Sequence, residues 1–238
     1  MSNDVPLPIR QSGVIYLKNL VLTSWQDKHL EEGEISNFVI HEQDRSMLRD
    51  AIVDAIVQAP DIIKSQLCVC LRCMIKNDFP ARWTLVVDKI HIHLQNNDVN
   101  SCMGALLSLY QLVKNFEYQT VDQRIPLIEA MNLLLPIMYD FMEKLLPDAS
   151  EQSMLMQKQL LKCFYISKNN RIQQFLLFYI RYGSPTKNQK YAEFAEWYLT
   201  TFTGGILDVL FKILDQYRNN IYVSPRVLNQ ALSYIDQW

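Results

Sequence analysis

The side chains of this 238-residue sequence that could do chemistry are few, and their spacing decides what they can hold. Cys68-Val69-Cys70 with Cys73 is the densest group of soft ligands. A structural zinc site needs convergent ligands, commonly two paired sets. On a helix advancing about 100° per residue, Cys68 and Cys70 point roughly 200° apart, and no CxxC pair has a distant partner pair. These cysteines therefore read as structural. His91 and His93 fail the same angular test, and the i, i+4 histidine pair of zinc proteases is absent from the sequence. Gly204-Gly205 lacks a following Lys-Ser/Thr, so it does not write a phosphate-cradling loop. There is no Asp-Asp pair that could hold magnesium and a diphosphate. The expectation is a protein with no catalytic residues, no metal and no cofactor: not an enzyme.

A second group binds rather than reacts. Lys18 and Asn19, Arg72 and Lys76, and Lys114 and Asn115 all fall toward the C-terminal halves of alternate helical segments. In a stacked array such positions line one surface, a basic and amide row fit for an acidic partner. The competing reading is that these are solvated cations complementing helix dipoles.

Composition sets the frame for both groups. A hydrophobic content of 49%, 20% charged residues and only 6 glycines describe a folded, helix-rich chain with a sizeable core. A formal charge of −2 gives no electrostatic reason to expect a nucleic-acid binder. Five cysteines, odd in number and at apolar helical positions, fit free thiols in a reducing, intracellular compartment. Asp4, Pro6 and Pro8 stand where a secretory signal would be apolar, and the longest uncharged run, Val99 to Val113, is short of the roughly 20 apolar residues that span a bilayer. No membrane insertion is expected.

Helical periodicity runs along the chain. A first helix, capped by Asn3 or Asp4, carries the stripe Ile9, Gly13, Tyr16, Leu17, Leu20 and Val21, and a connecting loop occupies Gln26 to Ile40. A second helix after His41 has Glu42 and Asp44 in its first turn and the stripe Met47, Leu48, Ala51, Ile52, Ala55 and Ile56, with Arg45, Arg49, Asp50 and Asp54 on its surface. Pro60 opens a third, to Asn77, with Ile63, Leu67, Cys70, Leu71 and Met74 inward. Phe79-Pro80-Ala81-Arg82-Trp83 then turns into a helix from Trp83 to Gln95, and another spans Val99 to Tyr118. From Asp122 a long helix contains Pro136, which predicts a kink around residues 132–136. Ser150 to about Tyr165 returns against it, and further helical stripes follow to Trp238. The pairs Ile40–Asn77, Arg82–Tyr118 and Asp122–Tyr182 repeat at about 40 residues, the period of HEAT and armadillo units. The predicted fold is all-α, an α-solenoid of HEAT-like antiparallel helix pairs.

Four stretches carry a resemblance. Pro8-Ile9-Arg10-Gln11-Ser12-Gly13-Val14-Ile15-Tyr16-Leu17-Lys18-Asn19 with Trp25, His41-Glu42-Gln43-Asp44-Arg45, Asp78-Phe79-Pro80-Ala81-Arg82-Trp83, and Leu109 to Tyr118 are similar to the N-terminal part of the importin-β family of nuclear transport receptors, in its importin seven and importin eight branch. Arg181 to Pro185 and Pro225 to Leu228 resemble that branch as well. The resemblance implies a carrier in cytoplasm and nucleus, including the nuclear pore, that imports protein cargo. It implies binding of the small GTPase Ran in its GTP form through inner helices and of phenylalanine-glycine nucleoporins through outer ones. Lys18, Asn19, Arg72, Lys76, Lys114 and Asn115 are then the GTPase-facing candidates. The chain divides into importin-β-type repeats over 1–165, an atypical junction at 166–174 and further HEAT-like helices over 175–238. Relative to the family, a first helix and the later cargo-holding repeats are missing and the junction replaces additional helices, so a shortened product is expected. The alternative function is a truncated helical scaffold without regulated transport.

Overall fold

The computed structural model describes residues 5–26, 38–96, 98–120, 122–145, 148 and 150–169. The expected loop at 26–40, all but its ends, and every helix expected beyond residue 169 lie outside them. The chain separates into two compact units, Met1–Asn115 and Phe116–Trp238. Among the described residues there is no strand, only helices.

In the first unit, α1 (Leu7–Ser24) packs on α3 (Asp61–Asp78), and α3 packs on α5 (Val99–Asn115). The helices α2 (Glu42–Gln58) and α4 (Leu85–Leu94) cover α5 from a second layer, and α2 also packs on α3. Alternate helices thus share a layer. Only Ala59 and Pro60 separate α2 from α3, because proline has no N–H to continue α2 yet suits the start of α3. Asp98 closes the other hairpin: its Oδ2 accepts from the Ser101 backbone N–H at 2.8 Å and from the hydroxyl at 2.9 Å.

In the second unit, a short 3-10 turn at Asp122–Arg124 leads into α6 (Ile125–Leu145), which packs on α7 (Glu151–Asn169). The starts of α2, α4 and α6 lie about 40 residues apart, as the repeat reading requires. Helix α6 runs without interruption through Pro136. By length and composition alone, residues 122–142 include a stretch long and apolar enough to cross a membrane. It is longer than the uncharged run Val99 to Val113, since Glu129 and Asp140 interrupt its charge-free stretches without outweighing its apolar residues. Leu127, Met131, Leu134, Met138 and Met142 of α6 are buried against protein, as in a core helix. Helix α7 continues four residues past Tyr165, into the segment expected to be a junction, and the remainder of that segment lies outside the described residues.

Two helices bury faces that differ from the expected stripes. Helix α2 buries Arg45, Arg49, Ile52, Val53, Ile56 and Val57, while Met47 is 64% exposed. The apolar stripe is rotated because Arg49 has an anion to meet. Its NH1 donates to Asp78 Oδ2 at 2.8 Å, and its NH2 pairs with Glu42. Burial opposes the Arg49 charge, but the bonds to Glu42 and Asp78 outweigh it and hold its pKa above the ordinary value. The Arg49 hydrogen bond in turn holds the Glu42 carboxyl below its usual range. In α1 the residues turned inward are Val14, Val21 and Ser24, and both Ile9 and Tyr16 of the expected stripe are exposed. Pro6 occupies the cap of α1 with no side-chain bond, and Asn3 and Asp4 lie outside the described residues.

Asp78 is the meeting point of the unit. Besides Arg49, its Oδ2 accepts from Trp25 Nε1 at 3.1 Å, and Arg82 NH2 lies 3.4 Å from its Oδ1. One buried carboxylate therefore joins the end of α1, the middle of α2, the end of α3 and the turn toward α4. Arg82 also donates its backbone N–H to the Asp78 carbonyl at 2.8 Å, which winds the Phe79–Arg82 turn and delivers Trp83 to the core. Asp78→Ala strands the Arg49 guanidinium in the interior and is expected to cost about 3–5 kcal/mol, read as a lowered urea midpoint of unfolding.

Gly104 sets the crossing of α5 over α2. A methyl group there would sit 2.7 Å from the Val57 Cα, a backbone atom that cannot step aside, whereas a methyl at Gly13 of α1 would meet nothing within 4 Å. Gly104→Ala is expected to destabilise by about 1–3 kcal/mol. Gly13→Ala is expected to stabilise by about 0.5–1 kcal/mol through helix propensity alone. Thermal unfolding of the two variants should move in opposite directions.

Candidate partner-binding surface

The side chains placed on the open face of the α1–α3–α5 layer follow from helical period. On α3, Ile62, Ser65, Val69, Arg72 and Lys76 recur at three- and four-residue steps and are all exposed. This is the stripe opposite the buried Ile63, Leu67, Cys70, Leu71 and Met74, where the expectation holds in full. On α5, Met103, Leu107, Tyr110 and Lys114 form the corresponding stripe, half-buried between neighbours. On α1, Gln11, Ile15, Lys18 and Leu22 do the same, with Leu22 52% exposed.

Four of the six candidates, Lys18, Arg72, Lys76 and Lys114, thus fall on three stripes of adjacent helices. Asn19 and Asn115 do not. Asn19 is exposed on α1 about 100° from Lys18 and accepts the Thr23 hydroxyl on its carbonyl at 2.9 Å. Asn115 turns toward α3: its side-chain amide donates to the Gln111 carbonyl at 3.0 Å and the Arg72 carbonyl at 3.2 Å. It is a clamp between two helices of the layer.

Ile62, Val69 and Leu107 belong to no stripe expected from the sequence, while Met103 and Tyr110, which the helical period assigns to the apolar face of α5 with Val99, Cys102, Leu106, Leu109 and Val113, are half-buried at its edge. Each stands on a stripe with a named cation, and that spacing was the available signal. Together they make the surface a mixed one, apolar and aromatic side chains interleaved with ammonium and guanidinium groups. Such a face can bury an apolar patch of a partner while its cations meet carboxylates.

The cysteines and the cluster around His93 are buried or half-buried. Cys68, Cys70, Cys102 and Cys163 are buried free thiols, and Cys73 is half-buried. Burial pushes the Cys68 thiol up to about 11 and Cys70 up to about 12, which disfavours the nucleophilic thiolate near neutral pH. His93 is half-buried, its Nε2 2.7 Å from Asp54 Oδ1, and Lys89 Nζ reaches Asp54 Oδ2 at 2.6 Å. Burial alone would raise the Asp54 pKa, but these two contacts lower it, and the cluster ties α2 to α4. Among the described residues no group of three or more His, Cys, Asp or Glu could hold a metal ion.

This arrangement of layered helix pairs has relatives. Residues 1–58 match the Importin-beta N-terminal domain family. Importin-8 of Mus musculus is 39% identical over 289 aligned positions, covering 100% of this chain and 29% of its own length. Importin-8 of Homo sapiens is 40% identical, with 100% and 28% covered. The chain belongs to the importin-β family. A probable importin-7 homolog of Dictyostelium discoideum, 26% identical over 96% of the chain and 23% of its own length, extends the similarity. Among solved structures, the exportin Cse1 in its cargo-free, cytoplasmic state superimposes with a TM-score of 0.62 at 15% identity, covering 98% of this chain and 29% of that one. The fold is thus the helical HEAT solenoid expected from the periodicity. This importin-β family chain spans under a third of the length of its importin-8 relatives. Since 289 positions are aligned to 238 residues, those relatives also carry segments that it lacks.

The separation of clamp from open surface is measurable. Asn115→Ala is expected to lower stability by about 1 kcal/mol through its lost hydrogen bonds, and Lys76→Ala to stay within about 0.5 kcal/mol of the parent. Chemical denaturation of the two variants checks this.

Proposed function

We propose that the chain is the N-terminal part of a nuclear import receptor that recognises the GTP form of Ran through the open face of α1, α3 and α5. The observation that carries this is the side-by-side packing of those three helices, which lines up the stripes bearing Lys18, Arg72, Lys76 and Lys114. Asn19 extends the face at its edge and Asn115 holds α3 and α5 in register behind it. The family of the chain supports the reading. Bound nucleotide belongs to the GTPase, and recognition of its GTP form needs only a surface that fits the GTP-ordered conformation better than the GDP one.

Phenylalanine-glycine nucleoporins are the partners proposed for the outer layer of α2 and α4, where Met47, Leu85 and Ile92 are exposed. Protein cargo is proposed for repeats that the importin-8 relatives have beyond the stretch matched here. Cytoplasm and nucleus, with passage through the pore, is the proposed location. The internal shortening, proposed to fall at 166–174, favours a second reading, a helical scaffold that keeps the fold without regulated binding.

One assay decides between them. The immobilised chain should retain Ran loaded with a non-hydrolysable GTP analogue at least tenfold better than Ran loaded with GDP. Arg72→Glu with Lys76→Glu should abolish most of that difference while leaving the circular dichroism of the helices intact. Equal retention of both nucleotide forms would establish the scaffold.

A further inference from the structure

Bonds between α1, α3 and α5 fix the heights of their open stripes relative to one another. Trp25 at the end of α1 reaches Asp78 at the end of α3, 53 residues on. One turn earlier the Cys73 thiol of α3 donates to the carbonyl of Val21, 52 residues back, at 3.7 Å. Asn115 at the end of α5 reaches the carbonyl of Arg72, 43 residues back. At the other end of the layer, Asp61 and Lys64 of α3 line one groove with Asn100 and Ser101 of α5. The three helices therefore run parallel, with Lys18 level with Cys70 and Lys114 level with Leu71.

Two rows result, each crossing all three helices. Ile15, Val69 and Tyr110 stand within about two residues of one height, and Lys18, Arg72 and Lys114 share the next. At 1.5 Å of rise per residue, the rows lie about 4.5–6 Å apart. With neighbouring axes 8–10 Å apart, each row is about 16–20 Å long. Toward the helix N-termini the face stays uncharged, through Met103, Ile62 and Leu107; toward the C-termini it adds Lys76 and Leu22. Ile15 and Val69 are 37% and 39% exposed, large apolar side chains left open at the centre of the layer.

Cations scattered over a face attract any acidic partner. A row of cations beside an apolar row instead fits a partner whose carboxylates run along one edge of an apolar ridge. Ile15 and Val69 are β-branched and stiff, and Tyr110 is a rigid ring, so burying them under a partner costs little side-chain entropy. Desolvating them supplies affinity that holds once the complex is formed, whereas cations at the edge of such a patch act on the rate and direction of encounter.

We propose that the open face recognises its partner by these two rows: Ile15, Val69 and Tyr110 anchor an apolar ridge on the GTP-ordered surface of Ran, and Lys18, Arg72 and Lys114 meet carboxylates along the edge of that ridge. This rests on the reading of the face as the one that binds Ran. Selectivity for the GTP form then lies in the spacing of ridge and carboxylates on the GTPase, which a conformation that moves either one destroys.

An exchange within one stripe separates the rows from the charge. Val69→Arg with Arg72→Val keeps the composition, the net charge and the stripe of α3 and swaps the two rows at their centre, both positions being exposed. Binding kinetics are followed on Ran loaded with a non-hydrolysable GTP analogue, with the melting curve of each variant as the check on folding. The exchanged variant should bind at least about tenfold more weakly than the parent. Ile15→Ser with Val69→Ser should raise the dissociation rate roughly tenfold and leave the association rate within about twofold. Lys18→Gln with Arg72→Gln should instead slow association and flatten its dependence on salt. Tyr16→Ser, on another sector of α1, should change neither rate. An exchanged variant that binds within about twofold of the parent makes the cations a diffuse patch and overturns the two rows while the Ran reading stands. An unchanged dissociation rate in Ile15→Ser with Val69→Ser overturns them as well. A parent that holds both nucleotide forms equally sinks the Ran reading and the two rows together.

Discussion

A carboxylate with 1% of its surface exposed is costly to bury unless partners answer it, and Asp78 has two hydrogen-bond donors and an ion-pair partner drawn from three other places in the chain. Trp25 supplies an indole N–H, Arg49 a charged N–H, and Arg82 a guanidinium beside the second oxygen. None of these can move by a turn of helix without leaving the charge unanswered. The segment Asp78 to Trp83 therefore does more than change the direction of the chain. It fixes the axial register of α1, α2 and α3 together and points Trp83 into the core that α4 and α5 complete.

Register is what a distributed binding surface needs. Cations spread over three helices select a partner by their spacing, and spacing along each helix is set by the 3.6-residue turn. Spacing between helices has no such guarantee. In this unit it is set by Asp78 for α1 and α3, and by Asn115 and the close crossing at Gly104 for α5. The residues that hold the surface are thus different from the residues that would touch a partner. No short motif marks either group, because the residues proposed to bind, Lys18, Arg72, Lys76 and Lys114, are ordinary cations set apart only by their positions.

How much could be read from the sequence varied by helix for identifiable reasons. In α3 one apolar stripe faces one polar stripe, so periodicity alone located Ile63, Leu67, Cys70, Leu71 and Met74 inside and Arg72 and Lys76 outside. In α2 the same method failed by one position, since it treats every arginine as surface. Arg49 is inside because its counter-ion, Asp78, lies 29 residues away, and pairing over that distance leaves no local trace. In α1 both sectors are apolar, so periodicity had two equal answers and selected partly the wrong one, Ile9 and Tyr16 over Val14. For the candidate surface, position on alternate helices placed Lys18, Arg72, Lys76 and Lys114 on three adjacent stripes. It misjudged Asn115, whose amide is engaged by two carbonyls, and it passed over Tyr110 by assigning it to the core face.

The absence of segments that the importin-8 relatives have bears on how robust the first unit is. In a stacked helical array each pair is stabilised mainly by its immediate neighbours, so the loss of a pair is felt at the two faces it covered and little beyond. The largest buried side chains of the first unit, among them Ile56, Leu71, Met74, Leu106 and Leu109, close on one another within α1 to α5. Their packing depends on the Asp78 cluster and the Gly104 crossing, both internal to that unit. The surface proposed for Ran stands on those five helices alone. A change of sequence after Tyr165 would alter which further repeats follow, and with them any cargo, while the spacing of Lys18, Arg72, Lys76 and Lys114 stays as the first unit sets it.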